Sequence, residues 1–125
     1  MSNNPVVWFE IYVDDMARAR AFYEAVLGVE LSSLDVGDEL QMLTFPMGGP
    51  DSSGSGGALV HHPDMPAGGN TTIVYFRCDD CDVEAARIEA NGGTLLRGKM
   101  SIGEHGFVAH AKDTEGNQIA LHSTQ

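Results

Sequence analysis

The chain has 125 residues, of which 42% are hydrophobic, enough for one domain with its own core. Eighteen acids against seven bases give a formal net charge of -11, which argues against nucleic acid or an anionic membrane surface as partner. The two cysteines exclude a disulfide framework or a four-cysteine zinc site, and the apolar runs are too short to span a bilayer. The polar stretch Met1 to Pro5 has no signal pattern, so the expected location is cytoplasmic.

The first predicted strand covers Trp8 to Val13. Phe9, Ile11 and Val13 alternate with Trp8, Glu10 and Tyr12, so one set faces a core and the other faces elsewhere. Asp14 and Asp15 supply helix N-caps, and the negative charge suits a helix N-terminus. Ala19, Phe22, Tyr23 and Val26 then form an apolar stripe at helical spacing, and Gly28 ends the helix. Strands are expected over 30–34, 39–45 and 57–62. They are joined by a Gly/Ser-rich connection over 47–56, and a Pro/Gly-rich link follows over 62–69.

The same order then starts again. The stretch from Ile73 to Leu96 repeats that from Trp8 to Leu31 without a gap. Asp14-Asp15 and Asp79-Asp80 lie 65 positions apart, as do Ala21 and Ala86, Gly28 and Gly93, and Leu31 and Leu96. A strand carries Val74, Phe76 and Cys78 on one face and Ile73, Tyr75 and Arg77 on the other. A helix follows with Cys81, Ala85 and Ile88 inward and Gly92-Gly93 as its stop. Strands over 94–97, 106–112 and 118–123 complete the copy. The last two are joined by the turn Asp113-Thr114-Glu115-Gly116-Asn117. The pattern predicts an α+β fold of two βαβββ modules, module one over about 6–62 and module two over about 70–123, within one domain over 1–125.

The segments FEIYVDD, FYEAVLG, VYFRCDD and DTEGNQIALH, in this order on a 65-residue repeat, resemble the glyoxalase / bleomycin-resistance / dioxygenase superfamily, also called the vicinal oxygen chelate superfamily. The resemblance runs from about Val7 to His122. It implies paired half-barrels around a central pocket, helices on the convex faces, and a divalent metal in the pocket of metal-using members. It also implies a homodimer. The family's metal-ligand positions match Trp8, Leu59, Ile73 and Ala120 here. None of these side chains is a metal ligand, so the usual metal is not expected and no other cofactor is implied.

Alternation predicts which residues line the pocket: Trp8, Glu10, Tyr12, Tyr75, Arg77, His110 and His122. Apolar walls with a few polar anchors suit a small-molecule ligand. Trp8 and Tyr75 are expected as wall residues. Glu10 and Arg77 occupy matching repeat positions, so they either anchor a ligand or pair across the modules. His110 and His122 are either hydrogen-bonded structural histidines or proton-transfer groups. Glu10, His110 and His122 together are the candidate catalytic set, for acid/base work or as a relocated metal site, in a lyase, isomerase or dioxygenase. The competing reading is a metal-free binder of a small organic ligand. His61 is expected to point inward, His62 to be solvated and His105 to lie in a loop at the pocket mouth. Cys78-Asp79-Asp80-Cys81 has redox spacing, but both thiols fall on the core-facing set, and the intervening acids are expected to raise a thiol pKa.

Overall fold

The computed structural model describes residues 4, 6, 8–34, 40–48, 54–69 and 72–125. The elements run β1 (Trp8–Tyr12), α1 (Met16–Leu27), β2 (Ser32–Leu34), β3 (Gln41–Thr44), β4 (Gly56–His61), β5 (Val74–Arg77), α2 (Cys81–Ile88), β6 (Thr94–Ser101), β7 (Phe107–Lys112) and β8 (Gln118–Ser123). Short 3-10 turns occupy Glu89–Asn91 and Gly103–His105. The order βαβββ therefore occurs twice. Glu39, expected to open a strand, and residues 49–53 of the Gly/Ser-rich connection lie outside the described residues.

Each module is one four-stranded sheet, ordered β1-β4-β3-β2 in the first and β5-β8-β7-β6 in the second. In both, the strand before the helix pairs in parallel with the last strand of its module, Trp8 facing Gly56 and Tyr75 facing Ala120. The helix between them is a crossover over one sheet face. Asp15 caps α1 by accepting from the Arg18 amide at 3.0 Å, and Asp80 caps α2 by accepting from Asp82 at 3.1 Å. Asp14 does not cap. Its carboxylate turns out and accepts from the Ala67 amide in the link, 3.0 Å away.

The buried residues of α1 are Ala19, Phe22, Tyr23 and Val26, and those of α2 are Cys81, Ala85 and Ile88, the two stripes expected from helical spacing. The modules share their core. Phe76 of β5 lies 6.2 Å from Phe9 and 5.6 Å from Phe45, centroid to centroid, and both partners belong to module one. Such aromatic pairs add to plain burial through edge and offset contacts, about 0.5–1.5 kcal/mol each.

A polar latch ties the modules at one end. The β7-β8 turn presents Asp113, Glu115 and Asn117, all buried, to the start of module one. Tyr23 donates to Asp113 at 2.6 Å. Glu115 accepts from the amides of Asp14 and Asp15 at 2.9 and 2.8 Å, and from the Arg18 guanidinium at 2.7 and 2.9 Å. Asn117 donates to the Tyr12 carbonyl at 2.9 Å and accepts from the Gly68 amide at 2.7 Å. Burial alone would raise the Glu115 pKa, but the hydrogen bonds from Arg18, Thr114 and the two amides outweigh it and hold the carboxyl at about 2.

Candidate functional site

With Phe9, Ile11 and Val13 in the core, the opposite face of β1 presents Trp8, Glu10 and Tyr12. These three interact along the strand. The Trp8 indole donates to Glu10 Oε2 at 3.2 Å, and the Tyr12 hydroxyl donates to Oε1 at 2.7 Å. The hydrogen bond to Glu10 raises the Tyr12 pKa, with burial and the carboxylate charge acting the same way, so the phenol stays a donor at neutral pH.

Module two presents a matching face. Phe76, Ile119, Leu121, Ala109 and Ala111 point to the core. Alternation leaves Tyr75, Arg77, Ala120, His122, Val108 and His110 on the other side. Tyr75, Ala120 and His110 form one row across three strands. Ala120 is small, so the outer rings meet over it edge to face, with centroids 5.7 Å apart. His110 Nδ1 is buried without a hydrogen-bond partner. His122 Nε2 donates to the His105 carbonyl at 2.8 Å, a bond that fixes its tautomer and ties β8 to the turn at Gly103–His105.

Two clefts open on these residues. One, about 680 Å³, lies between β1, the link and the strand ends of module two, and Trp8, Glu10, Tyr12, Met65, Val74 and Gln118 line it. The other, about 520 Å³, is lined by Phe9, Phe45, Tyr75, Arg77 and His122. The expected pocket residues are thus divided between them. Glu10 belongs to the first cleft and His122 to the second, and His110 lines neither. Among the described residues, no group of three or more His, Cys, Asp or Glu side chains is close enough to hold a metal ion. Glu10, His110 and His122 are not brought together as a ligand set.

At the family's metal positions, Trp8 and Ala120 do lie on the non-core faces. Leu59 does not: it is fully buried in the core opposite Ile11 and Leu43, and Ala58 and Val60 stand on the Trp8 side instead. This is a one-residue slip in register, which flips a side chain to the other face. The correction leaves the chemistry unchanged, since neither alanine nor valine ligates a metal. The side chains present do not fit the family's metal. His61 shares the face of Leu59, so it turns away from Trp8, and its Nδ1 donates to the Val13 carbonyl at 3.0 Å.

Cys78 and Cys81 are free and buried. Burial first, then Glu84, pushes the Cys78 thiol up to about 12, and the neighbouring aspartates are not the cause. Asp80 instead pairs with Lys99 at 2.8 Å. A thiol that stays protonated at neutral pH is a poor nucleophile, so the Cys78-Cys81 pair acts as core. Of the latch residues, Tyr23 is legible in the sequence only as part of a helix stripe, Asp113, Glu115 and Asn117 only as a turn, and Arg18 not at all. Of these, Asn117 also lines the first cleft, next to Gln118.

A pair of βαβββ modules with clefts on their non-core faces defines the vicinal-oxygen-chelate class. Residues 6–121 match the family model of the Glyoxalase/Bleomycin resistance protein/Dioxygenase superfamily, and the chain belongs to that family. It is 32% identical over 111 residues to CFP32 of Mycobacterium bovis, a protein named as a candidate glyoxylase. The match covers 89% of this chain and 41% of that relative, so the chain spans less than half the relative's length. Among solved structures it resembles TnmS3, an antibiotic binding protein from Streptomyces sp. CB03234, with TM-score 0.69, 27% identity, and coverage of 100% and 99% of the two chains. It also shares its fold with glyoxalase I from Zea mays, with TM-score 0.75, 21% identity, and coverage of 96% and 46%.

Proposed function

We propose that the protein holds a small organic ligand in the cleft between its modules and does so without the family's usual metal. One observation carries this reading. At the family position nearest the cleft, a metal ligand is replaced by Trp8, whose ring lines a cleft of about 680 Å³. That volume falls within the range of small-molecule sites, roughly 300–1,000 Å³. A wall of aromatic and aliphatic groups with one oriented carboxylate supplies apolar contact and a single polar anchor. The likeness to an antibiotic binding protein supports binding over catalysis. The acid/base alternative needs Glu10 and the two histidines to act on one substrate, and separate clefts weigh against it.

The test is a thermal-shift screen of aromatic, drug-like and thiol-conjugate compounds, run beside metal readdition to the chelated protein. The expected result is stabilisation by an organic compound, abolished by Trp8→Ala, with no stoichiometric metal uptake. Uptake of one metal per chain, lost when His110 and His122 are replaced together, would overturn the metal-free reading. Silence across the whole library would overturn ligand binding.

We infer further that two copies associate. Leu34 and Leu96, 45% and 48% exposed, leave apolar surface on β2 and β6, one outer strand of each sheet. A solution mass of 13.4 kDa, that of one chain, would refute the dimer.

A further inference from the structure

The cleft at Trp8 has an electrostatic sign as well as a shape. Its described walls carry two carboxylates, Glu10 and Asp64, and no lysine, arginine or histidine. The other cleft is the reverse: Arg77 and His122 line it, and no acid does among its described residues. The two donors that hold Glu10, the Trp8 indole and the Tyr12 hydroxyl, are neutral. They orient the carboxylate without cancelling its charge. Each takes one lone pair of a different oxygen, so acceptor capacity is left over on both. The remaining wall is mostly apolar, and Met65, Pro66 and Val74 line the same cleft. An apolar body seated there expels water, and the pull of Glu10 on a positive group strengthens as the local dielectric falls.

We propose that this cleft selects a small organic cation, an ammonium or amidinium group on an aromatic or aliphatic body. The proposal rests on the ligand-binding reading above and names its ligand class. The cationic end pairs with the free acceptor capacity of Glu10, beside the Trp8 and Tyr12 side chains that orient it. The body covers Met65, Pro66 and Val74. Asp64, exposed at the same cleft, adds attraction without a hydrogen-bonded position of its own. An anion meets two like charges, and a neutral isostere forgoes the pairing. The chain's net charge of -11 steers a cation toward the protein as a whole, whereas the two clefts differ in what they hold.

Trp8 is the chain's single tryptophan, so its fluorescence reads this cleft directly. Three probes of similar shape separate the possibilities: 2-phenylethylammonium, 2-phenylethanol and 3-phenylpropanoate, titrated by Trp8 fluorescence and by calorimetry. The cation is expected to bind at least tenfold more tightly than the alcohol, and the anion most weakly. Glu10→Gln is expected to bring the cation to within about two- to threefold of the alcohol's affinity, the share left to Asp64, and to leave the alcohol unchanged. Asp64→Asn, at an exposed position, is expected to cost the cation about two- to threefold and serves if Glu10→Gln does not fold. Added salt is expected to weaken the cation alone. Equal binding of cation and alcohol, in the wild type and in both variants, overturns the charge selection and leaves the ligand-binding reading intact. If none of the three probes binds, the inference falls, and the broader thermal-shift screen alone then decides the ligand-binding reading.

Discussion

The two modules repeat a pattern but divide the work. Tyr23 and Ile88 occupy the same place in the repeat, one helix turn before the stop, and both are fully buried. Ile88 only packs. Tyr23 packs and also carries a hydroxyl to Asp113 in the other module. In the same way Phe22 is core, while its repeat partner Arg87 reaches across and donates to the Val26 carbonyl at 3.2 Å. Repetition therefore preserves which face is buried, and departures from it mark where one module grips the other. The non-core faces differ in the same way. Module one offers a carboxylate held by two aromatic donors, and module two offers Arg77 and His122.

The strongest way to break this division is to cut the latch. Asp113 accepts from Tyr23, from the amides of Glu115 and Asn117, and from the Asn117 side chain. Asp113→Ala strands those donors in a buried site. Its expected cost is about 3–5 kcal/mol, read as a lower urea midpoint. A loss under about 1 kcal/mol would show that the turn does not join the modules.

The next effect is pH dependence from Glu115. Its folded pKa of about 2 lies below the ordinary 4.5. A depressed carboxylate stabilises the fold above its unfolded pKa, and that contribution is lost as pH falls through the folded value. Thermal stability is therefore expected to decline from about pH 5 down to about pH 2. Glu115→Gln is expected to be less stable at pH 7 and to decline less across that window. Parallel declines in the two proteins would place the acid sensitivity elsewhere, in the Asp80 and Glu24 carboxyls, whose pKa values are also lowered.

Much of this architecture was legible because its signals are local. Helical stripes and the alternation of Trp8, Glu10 and Tyr12 depend on neighbours within a turn or two, and the structure reproduces them residue for residue. Three features escaped for stated physical reasons. Leu59 matches the family's ligand position by resemblance alone, and a strand with Ala58, Leu59 and Val60 all apolar carries no alternation to show which phase faces the core. Strand β6 runs to Ser101, beyond the expected 97, because register shifts after Leu95 and Arg97 interrupt the alternation that would have announced it. The latch and the division into two clefts depend on pairs some 50 to 105 residues apart, such as Asn117 with Tyr12, and no spacing rule reaches that far.

The smallest effects sharpen the comparison most, because they concern two residues with one letter and one repeat position. Gly28 and Gly93 both follow their helices, yet they are glycine for different reasons. Gly28 has φ 66 and caps α1 with its amide on the Glu24 carbonyl, and an added Cβ there would meet nothing nearer than 3.9 Å. In module two the left-handed position has moved back to Gly92, at φ 93. Gly93 has no positive φ, but a Cβ there would lie 2.6 Å from the Lys112 carbonyl oxygen and 2.6 Å from the Phe22 ring. Backbone of a paired strand cannot yield as a flexible side chain can. Gly93→Ala is therefore expected to cost about 2–3 kcal/mol through overpacking, and Gly28→Ala about 1 kcal/mol through left-handed strain. A D-alanine placed by chemical synthesis separates the two causes. It suits a positive φ, so it is expected to restore stability at position 28, whereas at position 93, where φ is not positive, the D configuration is itself disfavoured and no rescue is expected. Equal rescue at both sites would show that the two glycines do the same job after all.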